Sequence, residues 1–172
     1  MGAVVVLVEL ARHRAEWRLR GQRLVLTNGC FDIIHLGHVR YLQAARALGD
    51  VLVVGVNSDA STRRLKGERR PIVSQAARAE VLAALGCVDF VIVFDEDTAE
   101  ALVAALRPEV YVKGGDYATA RGEQSESSKP LPEAAVVERY GGRVAILPEV
   151  AGASSTGIVE RIIERYCDRP PA

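Results

Sequence analysis

Short β-branched apolar runs alternate along the chain with longer segments in which apolar residues recur every three or four positions, the pattern of a parallel sheet covered by helices. The spacing predicts a helix over about Glu9 to Arg20, ended by Gly21, and then a buried strand from Arg23 to Thr27. A loop over Asn28 to Ile34 follows. Val39, Leu42, Ala45 and Leu48 then mark a helix that stops at Gly49-Asp50, and Val51 to Val56 reads as a second strand. The polar, basic stretch from Asn57 to Arg70, closed by Pro71, reads as a cationic loop. Beyond it the pattern predicts a helix over about Ser74 to Leu85, a strand at Val88 to Phe94, a helix at Thr98 to Leu106 and a short strand at Val110 to Val112, broken by Gly114-Gly115. A helix over about Glu133 to Tyr140, a strand at Arg143 to Leu147 and a helix at Ser155 to Tyr166 complete the chain. The polar run 118–132, and Thr119 to Pro130 within it, holds hardly any apolar residue and reads as a mobile loop. The expected fold is therefore α/β, an open parallel sheet of five strands with helices on both faces, in a single domain over 1–172 with its core at about 22–166.

Composition narrows the function classes. The 22 Lys and Arg balance 22 Asp and Glu, so no general basic field exists to hold nucleic acid or an anionic membrane. Any anion site must be local. Aromatic residues are only 5% and do not interleave with basic ones, which also argues against a platform for single-stranded nucleic acid. Cys30, Cys87 and Cys167 lie far apart and form no disulfide framework, as expected in a reducing compartment. The apolar stretch Gly2 to Leu10 is too short to span a bilayer and lacks a positive leader or a cleavage site. These features predict a cytoplasmic protein.

The segment Thr27-Asn28-Gly29-Cys30-Phe31-Asp32-Ile33-Ile34-His35-Leu36-Gly37-His38 joins a buried strand to an amphipathic helix, the junction at which open α/β sheets bind ligands. Gly29 lets the backbone approach a ligand, and Gly37 leaves room above the first helical turn. A helix N-terminus offers free N–H groups and partial positive charge to an anion. His35 and His38, three residues apart, share one face and can donate to one phosphate chain. Zinc ligation is the competing reading, but the only other histidine is His13 and no cysteine cluster lies nearby, so no protein-bound metal is expected.

The segment resembles the HxGH signature of the nucleotidyltransferase superfamily, which implies a Rossmann-like fold and nucleotidyl transfer from a nucleoside triphosphate to a phosphorylated acceptor. Over nearly its whole length the chain is similar to the heptose-1-phosphate adenylyltransferases. The resemblance is carried by TNGCFDIIHLGH at 27–38, GVNSDAS at 55–61, LKGERRP at 65–71, VDFVIVFDEDT at 88–98, VKGGDY at 112–117 and GASST at 152–156. It implies His35, His38 and Lys66 as catalytic groups. It implies nucleotide contact by Thr27, Asn28, Gly29, Cys30, Phe31, Gly37, Gly114, Asp116, Ser154, Ser155 and Thr156. For the acceptor phosphate or sugar it points to Asp32, Asp59, Arg63, Lys66 and Arg78. Plainer roles stand beside these: a solvated charged loop around Lys66, a tight turn at Gly114-Gly115-Asp116, helix capping by Ser154 to Thr156, and support of a strand end by Asp59.

Mg²⁺ is expected to travel with ATP, held by phosphate oxygens and water. The partners are ATP and a sugar phosphate, and the family resemblance implies a homodimer or higher homo-oligomer. Alternative readings are a cytidylyltransferase for glycerol phosphate, another adenylyltransferase such as FAD synthetase, or a noncatalytic nucleotide sensor. Ala120 to Lys129 looks like an insertion relative to the family and is expected to reshape the acceptor pocket.

Overall fold

The computed structural model describes residues 1–115, 130–148, 150 and 152–167. Residues 118–129 of the expected loop, the stretch Ala120 to Lys129 within it, and Asp116 lie outside them. The described strands are β1 (Ala3–Val4), β2 (Leu24–Gly29), β3 (Val51–Asn57), β4 (Phe90–Phe94), β5 (Val110–Gly114) and β6 (Arg143–Leu147). They pair in parallel in the order β1-β4-β3-β2-β5-β6. The helices are α1 (Leu7–Leu19), α2 (Leu36–Arg46), α3 (Asp59–Lys66), α4 (Gln75–Ala83), α5 (Glu100–Leu106), α6 (Pro132–Arg139) and α7 (Ser155–Tyr166).

Side chains alternate across the sheet into two cores. Leu24, Leu26, Val51, Val53 and Tyr111 join Leu10 and Trp17 of α1, Leu102 of α5 and Val137 of α6. Val25, Leu52, Val54, Val56, Val110 and Val112 join Leu42 and Ala45 of α2 and Ala79 and Leu82 of α4 on the other face. Burial on both faces is why the strands read as unbroken apolar runs rather than alternating ones, and β3 is buried at every position. The chain leaves β2 towards β3 in one direction, and returns later to lay β5 on its other edge. The strand order thus reverses beside β2, and a crevice opens there at the carboxyl ends.

Two features differ from expectation. The sheet has six strands, because the opening apolar stretch adds β1 beside β4, with Gly2 N donating to Ala83 O at 2.8 Å. Two residues are too few to show a period. The expected cationic loop after β3 instead contains α3. Ser58 caps it by accepting from Ser61 N at 3.1 Å, and the positions it buries are the polar Ser61 and Thr62. Ser61 reaches the Glu96 carbonyl at 2.9 Å, so this helix docks by hydrogen bonds, and no apolar stripe betrays it. No helix among the described residues is long and apolar enough to cross a membrane.

Candidate active site

A cavity of about 720 Å³ opens over the carboxyl ends of β2, β3 and β5, with walls from the loop after β2 and the starts of α2 and α7. Asn28, Gly29, Cys30, Phe31 and Asp32 form the side nearest the sheet, and Lys66, at the end of α3, stands exposed at the rim.

His35 is the N-cap of α2 and accepts from Gly37 N through Nδ1 at 3.1 Å. In the neutral ring that bond leaves Nε2–H as the donor. A methyl at Gly37 would stand 2.9 Å from the His35 ring and 3.0 Å from Ala153 Cβ, so glycine admits both the imidazole and the start of α7. The His38 ring stacks on that of His35 with centroids 3.9 Å apart and meets Phe31 at 5.3 Å. Phe31 holds φ at +49°, a strained value for a side-chain-bearing residue. Burial and then the neighbouring His35 push His38 down to about 4, against a small opposing pull from Ile33, and burial lowers His35 as well. At neutral pH the stacked pair is uncharged. An arriving anion would favour its protonation, and the buried Nδ1 of His38 has no hydrogen-bond partner among the described residues.

The loop carrying these rings is clasped from below. Asp32 accepts from Ile72 N at 2.7 Å, Val73 N at 3.0 Å and Arg70 at 2.6 Å. Burial alone would raise its carboxyl, but Val73, Arg70 and Ile72 together hold it below the usual carboxylate value. Arg78, only 1% exposed, donates to Val73 O and Asn57 O at 2.9 Å each, to Asp59 at 2.7 Å and to Cys30 O.

These bonds correct several expected roles. Arg78 and Asp59 do not line the cavity, because the guanidinium is taken up by loop carbonyls and by Asp59 itself; they brace the binding loop. Thr27 is fully buried, its hydroxyl 2.7 Å from that of Tyr41, and it too lies behind the wall. Arg63 is exposed and off the cavity lining. Asn28, Gly29, Cys30, Phe31, Asp32, His35, Gly37, His38, Lys66, Gly114, Ser154, Ser155 and Thr156 do line it. Ser154 caps α7 by accepting from Gly157 N at 3.0 Å, and Ser155 donates to Ile33 O at 3.2 Å, tying this helix to the loop after β2.

Of the basic cluster around Lys66, Arg70 also lines the cavity; sequence reasoning missed Lys113 in the lining, and Tyr111, whose hydroxyl donates to Asn28 Oδ1 at 2.6 Å. A lysine inside an apolar strand was the available signal for Lys113. Among the described residues no group of three or more His, Cys, Asp or Glu gathers as a metal site.

A stacked histidine pair at a helix N-terminus, facing cations across the switch point of a parallel sheet, is the equipment of a nucleotidyltransferase. The cytidylyltransferase-like family matches residues 26–161, and the chain belongs to it. It is 57% identical over 145 residues to the bifunctional protein HldE of Geotalea uraniireducens, a match covering 84% of this chain and 28% of that one. The bifunctional protein HldE of Pelobacter propionicus is 53% identical over 153 residues, 87% of this chain and 29% of that one. The chain thus spans under a third of the length of these relatives. Among solved structures, the lipopolysaccharide core biosynthesis protein of Thermoplasma volcanium is 30% identical, with a TM-score of 0.56 over 76% of this chain and 98% of that one. Pantothenate synthetase of Thermus thermophilus, 13% identical with a TM-score of 0.58 over 87% of this chain and 62% of that one, shares the fold alone.

Proposed function

We propose that the chain transfers the adenylyl group of ATP to a sugar 1-phosphate, specifically a heptose 1-phosphate, releasing pyrophosphate and forming an ADP-sugar. The observation that carries this reading is the stacked His35 and His38 pair on the N-terminus of α2, opening into a cavity rimmed by Lys66. Sugar chemistry is supported by the six motifs shared with heptose-1-phosphate adenylyltransferases and by likeness to a protein of lipopolysaccharide core biosynthesis.

A phosphate monoester has its second pKa near ~6, so at neutral pH the acceptor is already largely dianionic and needs no general base. Its oxygen attacks the α-phosphorus, the new P–O bond forms, and pyrophosphate departs with the electrons of the broken bond. What the protein supplies is alignment of two anions and stabilisation of charge on the transferring group. His35 and His38 donate from the floor, the N–H groups of α2 add their partial charge, and Lys66 meets the phosphates from the rim. Ser154 to Thr156 hold the nucleotide from the α7 side. Mg²⁺ arrives with ATP as part of the substrate. We place the reaction in the cytoplasm, in a homodimer or higher homo-oligomer.

A pyrophosphate-release screen of sugar 1-phosphates against the four nucleoside triphosphates tests this. ATP with heptose 1-phosphate is the expected best pair. Efficient use of CTP with glycerol 3-phosphate would overturn the substrate assignment while leaving the reaction class in place.

A further inference from the structure

Among the described residues three carboxylates line the cavity, and two of them are paired. Asp32 is held by Arg70 at 2.6 Å and Asp97 by Arg64 at 2.7 Å. The third, Glu133, is only 3% exposed and stands in no ion pair among the described residues. Its Oε1 accepts from the backbone N–H of Ala99 at 2.7 Å, at the start of α5. Its own place in the first turn of α6 adds a second helix start, and the partial positive charge of the two makes its burial tolerable. The other oxygen, Oε2, accepts no hydrogen bond among the described residues, and the residue borders open cavity rather than sealed core. A buried carboxylate with an unused oxygen costs free energy. Donors that enter the cavity would complete it.

Charge narrows what those donors can be. A phosphate is repelled by a neighbouring carboxylate, so neither the triphosphate nor the acceptor's phosphate is the group that meets Glu133. An uncharged, donor-rich part of a substrate remains: the hydroxyls of the acceptor sugar, or the ribose and amine of the nucleotide. Position separates the two. Glu133 comes in with α5 and α6, whose Leu102 and Val137 belong to the core on one face of the sheet, whereas α2 and its histidines pack on the other. The start of α7, which on the proposed reading holds the nucleotide, adjoins α2 through Gly37 and Ala153 and through the bond from Ser155 to Ile33. The side at Glu133 is therefore left for the sugar. Thr98, next to Ala99, also lines that side, and its hydroxyl donates to Glu100 at 2.9 Å, which keeps its lone pairs for an incoming O–H.

We infer that Glu133 selects the acceptor's sugar: Oε2 accepts from a ring hydroxyl, so that a polyhydroxylated sugar phosphate is held and an acceptor lacking that hydroxyl is not. The inference deepens the reading of the chain as a sugar-phosphate adenylyltransferase and rests on it. No bond is made or broken at Glu133. Because Oε1 is engaged by Ala99, one hydroxyl is its strong partner rather than a vicinal pair.

Glu133→Gln tests this, since the amide keeps the oxygen that Ala99 needs and replaces the other with a donor. The variant should melt close to the wild type. Its kcat/KM for heptose 1-phosphate should fall roughly ten- to a hundredfold, the weight of one hydrogen bond to a charged group, while its affinity for α,β-methylene ATP, measured by calorimetry, stays within about threefold. Among monodeoxy heptose 1-phosphates, one should be as poor for the wild type as heptose 1-phosphate is for the variant, and Glu133→Gln should not weaken that one further. Acceptor kinetics within about threefold of wild type would overturn the assignment. So would an equal loss of affinity for the ATP analogue, which would give the carboxylate to the ribose or the base.

If Glu133→Gln does not fold, the deoxy series with the wild type decides. A loss of about tenfold or more at one ring hydroxyl supports the inference, and tolerance at every position overturns it. Should the wild type form no nucleotide sugar from any sugar phosphate, the adenylyltransferase reading fails by itself. Free heptose, the acceptor without its phosphate, is then titrated by calorimetry into wild type and Glu133→Gln, both holding the ATP analogue. Binding weaker by about tenfold or more in the variant keeps the hydroxyl site, whereas equal binding, or none to either, removes it.

Discussion

Two helix N-termini adjoin at the cavity wall, and they are built on opposite principles. The start of α2 is fixed from beneath: Asp32 gathers two backbone N–H groups and Arg70, while Arg78 joins the loop carbonyls to Asp59, all within buried or half-buried surroundings. Among the described residues, the start of α7 is held by its own Ser154 cap and the Ser155 hydroxyl bond to Ile33, and no residue of the helix is fully buried. Under the proposed function, the histidines that meet developing charge belong to the firmly held wall, where reorganisation is least, and of the groups proposed to contact the nucleotide only Ser154 to Thr156 belong to the lightly held one.

The sharpest way to break this contrast is to remove the clasp. Arg78→Ala strips donors from three carbonyls and from Asp59 at once, and should cost roughly 3 to 5 kcal/mol of folding stability in urea denaturation. A loss under about 1 kcal/mol would mean that the loop is held by other means.

Next comes His38→Ala. If the rigid wall stabilises the transition state, turnover should fall by about a hundredfold or more, some 3 kcal/mol in barrier, with a smaller change in ATP affinity. Near wild-type kcat, or a defect wholly explained by unfolding, would remove His38 from the mechanism.

A pH series sharpens the same point without substrate. His38 sits at about 4 in the folded chain against an ordinary 6.5, so the unfolded chain takes up the proton first. Stability from this residue is therefore lost as pH falls from about 6.5 towards about 4, and is flat below. Measured as wild type minus His38→Gln, the difference should shrink by roughly 3 kcal/mol across that window. Asp32, held below its usual value, loses its contribution only at more acidic pH, which keeps the two windows apart. No change in that difference would show that the imidazole is hydrated and not packed.

The smallest effect belongs to the other wall. Ser154→Ala removes one helix cap, worth about 1 kcal/mol, and should weaken ATP binding more than it lowers the melting temperature. An equal effect on both would make α7 part of the fixed frame.

Much of this was legible in the sequence, for reasons that differ by element. β2, β3 and the helix between them announce themselves because both sheet faces are apolar, and the glycine between His35 and His38 marks a helix start open to anions. α3 stayed hidden because it buries Ser61 and Thr62 rather than a hydrophobic stripe. Arg78 reads as a surface residue or a phosphate contact in one dimension, and only the converging carbonyls of Cys30, Asn57 and Val73 show it to be internal. Lys113 was missed because the expected strand stopped at Val112, and its place in the lining beside the histidines follows from sheet order, which no local pattern encodes.

The shallow seat of α7 also has a consequence in time. Its backbone amides can exchange with solvent by local opening, whereas those of β3, buried at all seven positions, wait for far rarer global events. Deuterium uptake in α7 should therefore slow when nucleotide fills the cavity while uptake in β3 does not change, so that this helix serves as an unlabelled gauge of occupancy within the protein itself.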